Sequence, residues 1–331
     1  MPNAFVTGGT GFLGTHLIEV LVAARWQITA LRRSTSDISH FRDMPAIHWV
    51  EGDVTDLASL QRHMPNQLDA VFHVAGSAGV LPHHQEYKRY EINHIGTKNV
   101  LTACQGKSVK RLINTSTIAT FDWHHEVPMT ENTPPNDWSR DPYVHSKRLA
   151  DIEVEKAVAQ GLDAVFLHPC ALVGRYDKDT WSKAFREIER GLPVALSPPG
   201  GINVCHAPLV ARAFLAAYNH GVSNGHYILG GPAVTFLELF QAIAKVMNKP
   251  GPKWTATALL FKAFGWSEFL ISSLMRREPA LTPHTINLLC DKVYGISLRA
   301  EQELGYDGGE LDVMLQDCFD WMLATGRLPP R

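Results

Sequence analysis

Short apolar runs alternate with longer amphipathic ones through the first half of the chain. Ala4-Phe5-Val6-Thr7 is a brief strand-like run that leads into glycines. The segment 12–24 then places Leu13, Leu17, Ile18, Leu21 and Val22 on one helical stripe. Further strand-like runs fall at 27–31, 48–51, 70–73, 111–115 and 164–167, the last ending at His168-Pro169. Helical patterns occupy 85–105 and 143–159. This alternation predicts an α/β chain: a Rossmann-type, doubly wound parallel sheet with helices on both faces. Such sheets bind ligands beyond the carboxyl ends of their strands, so chemistry is expected just after each strand.

After Gly174 the alternation weakens. Proline and glycine gather at 193–201 and 250–252, and helical patterns appear at 207–219, 235–247 and 256–275. The pattern divides the chain into a Rossmann domain, 1–174, and a smaller, mostly helical substrate lobe, 175–331, partly interleaved with the sheet. The run 258–275 is rich in Leu, Phe, Trp and Ile, but Lys262 and Glu268 interrupt it. A membrane span is not expected there. A substrate lid or a packed lobe helix is favoured over a helix lying on a membrane surface.

Composition narrows the classes further. The 331 residues are 45% hydrophobic and 19% charged, which allows an ordinary globular core. The net charge is -2 without a basic block, so nucleic acid is not an expected partner. Five widely spaced cysteines form no C-x-x-C pair, which favours reduced thiols in a cytoplasmic protein. A strand beginning by about residue 4 leaves no room for a signal peptide. Of sixteen histidines, His83-His84 and His124-His125 are adjacent pairs. Sequence neighbours do not share a helix face, so no metal site is expected.

The chemistry starts at Thr7-Gly8-Gly9-Thr10-Gly11-Phe12-Leu13-Gly14. Glycines at positions 8, 11 and 14, after a strand and at a helix start, let the backbone approach a pyrophosphate at the helix N-terminus. A nicotinamide dinucleotide is the expected cofactor. The second strand ends in Leu31-Arg32-Arg33-Ser34, where an NAD site usually has an acid. Arg32 and Arg33 can pair with a 2′-phosphate, so NADP is preferred; Asp37 could still reach a ribose. Asp53-Val54 follows the third strand, where a carboxylate can accept from the adenine amino group. Val74-Ala75-Gly76 follows the fourth, where small residues let the backbone pass close to the cofactor.

Tyr143-Val144-His145-Ser146-Lys147 puts a phenol and an ammonium on one helix face. The ammonium is expected to lower the tyrosine pKa, fitting it for proton exchange with a carbonyl or alcohol. The fifth strand ends in Asn114-Thr115-Ser116-Thr117, where a hydroxyl could bond the substrate oxygen.

With these residues in view the chain resembles the extended short-chain dehydrogenase/reductases. The likeness rests on the glycine turn, Gly52-Asp53-Val54, Val71-Phe72-His73-Val74-Ala75, Asn93-His94-Ile95-Gly96-Thr97-Lys98-Asn99-Val100, Thr115-Ser116-Thr117, Tyr143 with Lys147, and His168-Pro169. Within that family it is most similar to the dihydroflavonol 4-reductase and 3β-hydroxysteroid dehydrogenase branch. Leu281-Thr282-Pro283-His284-Thr285 and Glu303-Leu304-Gly305-Tyr306 look like that branch's C-terminal lobe. The resemblance implies Tyr143 as acid/base and Lys147 as its tuner and ribose contact. It implies Thr117, with Ser116 as the neighbouring candidate, as the hydroxyl. It also implies Asn93 as a structural or relay residue, Pro169 beside the nicotinamide, and a homodimer through the helices near 88–105 and 143–159. The family's usual acid near 204–210 is replaced by Ala207-Pro208, and its usual arginine by His168. Arg175 is the best remaining cation for a diphosphate.

The favoured function is an NADP-dependent carbonyl reductase or alcohol dehydrogenase acting on a moderately large apolar ketone or aldehyde. A nucleotide-sugar epimerase or dehydratase is the alternative, and a non-catalytic NADPH-binding protein a third reading.

Overall fold

A computed structural model describes residues 1–78, 85–191, 197–275 and 282–329. The pair His83-His84 and Leu281 lie outside those residues. The first half runs β1 (Asn3–Thr7), α1 (Phe12–Ala23), β2 (Gln27–Arg32), β3 (Ile47–Glu51), α2 (Leu57–His63), β4 (Gln67–His73), α3 (Tyr87–Tyr90), a π turn (Glu91–Ile95), α4 (Gly96–Cys104), β5 (Ser108–Thr115), α5 (Pro142–Ala159) and β6 (Ala164–Pro169). There follow β7 (Ala171–Val173), α6 (Ser182–Glu189), β8 (Gly201–His206), α7 (Ala207–His220), β9 (Gly225–Leu229), β10 (Ala233–Thr235), α8 (Phe236–Val246) and α9 (Ala258–Leu274). The chain closes with α10 (Pro283–Leu288), β11 (Lys292–Val293), α11 (Leu298–Leu304) and α12 (Leu311–Ala324).

Seven parallel strands form the main sheet in the order β3-β2-β1-β4-β5-β6-β9. The expected Rossmann-type sheet is therefore present. From β1 the chain winds outward to β2 and β3, then returns to β4 on the other side. The strand order reverses between β1 and β4, which places a ligand crevice at their carboxyl ends. Phe5, Val71 and Phe72 are fully buried, as strands covered on both faces require. One side of the sheet packs Leu17, Ile18, Leu21 and Phe214 from α1 and α7. The other packs Leu60, Val100 and Val154 from α2, α4 and α5.

The division at 174 is not a clean break, because β9 supplies the seventh strand of the main sheet. Beside it stands a small sheet of β10, β8 and β11, with β7 also pairing β8. The lobe's own core joins Phe185, Leu239, Ile243, Met314 and Phe319. The segment 256–275 contains one helix, α9, whose Phe261 is buried with Ile286 of α10. Its outer face exposes Leu259, Leu260, Phe264, Leu270 and Leu274. Among the described residues no helix is long and apolar enough to cross a membrane.

Candidate active site

The glycine turn sits at the sheet's switch point. Gly8 has φ +75°, a left-handed conformation that suits glycine, and a Cβ there would lie 2.5 Å from the Ala75 nitrogen. A Cβ on Gly14 would run into the Gly8 carbonyl oxygen and lie 2.8 Å from Gly9 Cα. The turn thus packs directly onto the segment after β4. Gly11 begins α1 with no side-chain cap and no acid in the first turn. First-turn amides have no partner within a helix, so those of Phe12, Leu13 and Gly14 suit an external anion. These residues fit a pyrophosphate.

Thr7 holds the turn from beneath. Its Oγ1 accepts from Ala75 N at 3.3 Å and pairs with His73 Nδ1 at 2.8 Å. His73 Nε2 lies 2.9 Å from Thr97 Oγ1, and Thr97 donates its own proton to the Asn93 carbonyl at 2.6 Å. Thr97 must therefore accept from Nε2–H, which leaves Nδ1 as acceptor for Thr7. The ring is neutral, and burial, then the Lys147 charge, pull its pKa down to about 3. Asn93 projects from the π turn. Its Oδ1 accepts from Ser77 N at 2.7 Å, and its Nδ2 donates to Ser77 O and to Ser146 Oγ at 2.9 Å.

The adenosine side is more open. Arg32 ends β2 with Nη2 3.9 Å from Glu51 Oε2, an acid at the end of β3, while Arg33 is exposed. Arg32 Nη1 donates to the Arg33 carbonyl. Asp53 commits one oxygen to its own turn, accepting from Thr55 N at 2.9 Å and Thr55 Oγ1 at 2.8 Å. Val54 is buried against Gly96. Val74 and Ala75 are half-buried, Gly76 is exposed, and Pro169 is buried at the end of β6.

The catalytic candidates converge where β5 ends beside α5. Asp141 caps α5 by accepting from Tyr143 N and Val144 N, and Pro142 opens the helix. The Thr117 side chain stands near enough to the Tyr143 phenol to favour its ionised form. Lys147, buried one turn on, donates to the Thr115 carbonyl. Ser116 points elsewhere: its hydroxyl donates to Asp151 Oδ2 at 2.5 Å. Asn114 Nδ2 donates to the other Asp151 oxygen at 3.1 Å.

The expected lowering of the tyrosine pKa is not what this arrangement gives. Burial pushes the Tyr143 phenol above its ordinary value, opposed by the Thr117 side chain and the Arg89 charge. The Lys147 ammonium donates to a backbone carbonyl, and burial lowers its own pKa while Asp151 raises it. Burial also lifts Asp151 to about 6, against the pull of Lys147. Asp151 escaped the sequence reading, although Tyr143, Lys147 and Asp151 recur every four residues on one helix face.

One departure from the family pattern, His168, acquires partners. His168 Nδ1 lies 3.2 Å from both Thr120 Oγ1 and the Thr117 carbonyl, and its Nε2 lies 2.9 Å from His226 Nδ1. Burial, then His226, holds it well below the ordinary histidine range. His206 pairs with Asp317 at 3.1 Å. Arg175 pairs with Glu19 at 3.2 Å and with Asp317 at 3.4 Å, so it is already committed within the fold. Near the start of α5, a cleft of about 750 Å³ is lined by Tyr87, Tyr90, Trp138 and His145 among others. A second cavity of about 220 Å³ lies between Val144 and the lobe, lined by Trp123, His124, Trp138, Lys262 and Leu288. One of its two acids, Asp291, is engaged by Trp123 Nε1 at 3.1 Å and His124 Nε2 at 3.2 Å. Among the described residues no three metal-ligating side chains converge.

Residues 4–230 match the NAD dependent epimerase/dehydratase family. A putative dihydroflavonol 4-reductase of Synechocystis sp. is 27% identical, with 97% of this chain and 95% of that protein covered. A 3-beta-hydroxysteroid dehydrogenase of Mycolicibacterium neoaurum is 23% identical, over 99% of this chain and 95% of that protein. The solved UDP-glucose 4-epimerase of Bifidobacterium longum, in complex with NAD+ and UDP, superposes with a TM-score of 0.77. It is 21% identical and covers 98% of this chain and 99% of its own. At that identity the likeness is one of fold.

Proposed function

The chain belongs to the NAD dependent epimerase/dehydratase family, and from that premise we propose that it is an NADP-dependent carbonyl reductase. Its substrate is a moderately large apolar ketone or aldehyde. The observation that carries this reading is the Thr117 side chain beside a Tyr143 phenol that burial keeps protonated near neutral pH. A protonated phenol is the acid that reduction needs.

When bound, the reduced cofactor supplies the hydride that goes to the carbonyl carbon. Gly8, Gly11, Phe12, Leu13 and Gly14 hold its pyrophosphate, with Thr7 as support, and Arg32 and Arg33 take the 2′-phosphate. Asp53 and Val54 meet the adenine, and Val74, Ala75 and Gly76 pass beside the dinucleotide. Pro169 backs the nicotinamide, and Lys147 holds its ribose. Tyr143 Oη gives its proton to the carbonyl oxygen as charge develops there, while the Thr117 hydroxyl steadies that oxygen. Trp123, Trp138, Val144 and Leu288, which share a cavity with Arg140, Asp141, Lys262 and Asp291, offer apolar surface to such a substrate. The printed names of the reductase and dehydrogenase relatives point the same way. A nucleotide-sugar epimerase finds less support, since Arg175, the cation a diphosphate would need, is paired with Glu19 and Asp317. Pairing of two copies through the 87–104 and 142–159 helices is part of the same reading, with Tyr87 and Tyr90 exposed there.

Steady-state kinetics with NADPH and NADH over an aldehyde and ketone panel test the proposal. Tyr143→Phe should lower turnover by roughly a hundredfold to ten-thousandfold while leaving cofactor binding intact. Near-normal turnover in that variant would overturn the mechanism. A clear preference for NADH, or NADPH binding indifferent to Arg32→Ala, would overturn the cofactor assignment.

A further inference from the structure

Asp151 is 2% exposed, yet it is an acid in the middle of α5. A buried carboxylate is costly unless hydrogen-bonded and paired. Both conditions are met by residues of the candidate site: Ser116 and Asn114 donate to its two oxygens, and Lys147 faces it one helical turn away. The other charges that act on it are Arg148 and Glu155, both on α5, while β5 and the residue after it contribute the neutral Asn114 and Ser116. Tyr143 feels it in turn, since the negative charge at Asp151 disfavours a tyrosinate.

We propose that Asp151 is a positioning residue of this centre, an internal anion that keeps Lys147 charged and holds the Ser116 hydroxyl, leaving Thr117 as the hydroxyl at Tyr143. The argument is one of placement. Lys147 is 6% exposed and donates to a neutral carbonyl, so Asp151 is the group that compensates its charge. The same carboxylate occupies the hydroxyl that would otherwise compete with Thr117. Its ionisation near neutrality, set by burial and opposed by Lys147, then couples the centre to pH. The catalytic part of this inference rests on the reductase reading; the electrostatic part does not.

Two measurements on the full chain separate the two parts. The first follows the Lys147 side chain by carbon NMR of labelled lysine from pH 6 to 11. In Asp151→Asn the Lys147 titration should fall by about one pH unit or more, because the compensating charge is gone. An unchanged titration overturns the proposal. The second is the pH profile of NADPH-dependent reduction of 4-phenyl-2-butanone. Its basic limb should move down by the same interval in Asp151→Asn, whereas a merely structural residue would lower the amplitude and leave the shape. Ser116→Ala, which keeps the charge but removes one donor, should move the acid-side ionisation up by about one unit. A titration that shifts beside an unmoved profile refutes the positioning role. Wild-type protein that turns over no carbonyl counts against the reductase reading, and the Lys147 titration then decides the inference alone.

Discussion

His73 makes acid the most informative perturbation of this fold. Its folded pKa is about 3, pulled down by burial, while an unfolded histidine titrates near 6.5. Below about pH 6.5 the unfolded chain therefore takes up a proton that the folded ring refuses. Stability is lost as pH falls from about 6.5 toward 3, at about 1.4 kcal/mol per pH unit for this one group. At pH 5 the loss from His73 is about 2 kcal/mol, a sizeable share of a typical domain's stability. His168 and His226, also held low by burial, act in the same direction. Asp151 opposes them, because its raised pKa lets the folded state bind a proton between about 6 and 3.8. Glu19 and Asp317, both lowered to about 2, add to the loss only below about pH 4.5. Comparing wild type with His73→Gln cancels every group except His73. The variant should be less stable at pH 8 by about 1–3 kcal/mol, since the buried Thr7 hydroxyl loses its acceptor. Its stability should then fall less steeply between pH 6 and 5, by about 1.4 kcal/mol per unit. Urea unfolding at pH 5, 6, 7 and 8 reads both quantities. Parallel curves for the two proteins would refute the assignment of a neutral, proton-refusing His73.

Two other outcomes follow from distances in the structure. Gly14→Ala forces a Cβ onto the Gly8 carbonyl and to 2.8 Å from Gly9 Cα, so dinucleotide affinity measured by fluorescence titration should fall at least a hundredfold. Retained affinity would mean that the turn does not hold the pyrophosphate. Arg175→Ala strips Glu19 and Asp317 of their shared cation and should lower the melting temperature. It should leave the KM for a carbonyl substrate within about twofold, and a large KM effect in a normally stable variant would restore Arg175 as a substrate contact.

The sheet was legible because its strands are buried on both faces. Runs such as 4–7 and 164–167 are continuously buried, and strands of this kind announce themselves without alternation. The glycine turn and the Tyr143–Lys147 pair were legible because backbone approach and a shared helix face impose fixed spacings. The second half was less so for physical reasons. β7, β10 and β11 are two or three residues long, too short to show a period. α2 covers seven residues and depends on a cap, the Asp56 side chain accepting from Ala58 N. β9 is buried like a central strand, but nothing in its sequence says that it joins a sheet begun two hundred residues earlier. The partners of Arg175, His206 and Asp151 are tertiary facts of the same kind. The direction of the Tyr143 shift was not legible because spacing puts Lys147 on the right face without revealing how strongly burial disfavours the ionised phenol.

The most consequential feature of the site is how its two halves are held in register. Hydride transfer tolerates little misplacement, and an error of about 1 Å can cost a hundredfold in rate. The glycine turn follows β1 and the candidate catalytic residues lie just after β5 and on α5, elements far apart in sequence. Buried hydrogen bonds join them. From Ala75 the chain of bonds passes through Thr7, the neutral His73 ring and Thr97 to the carbonyl of Asn93. The Asn93 side chain then grips Ser77 on one side and Ser146 on the other, and Ser146 donates to the Tyr143 carbonyl at 2.8 Å. This explains why the long helical run 85–105 is broken by a π turn at Glu91–Ile95. The turn aims a buried amide at both halves, and a regular helix would give up that placement to save one irregular turn. Both ends of the Asn93 side chain thereby help to fix where Tyr143 stands relative to the glycine turn.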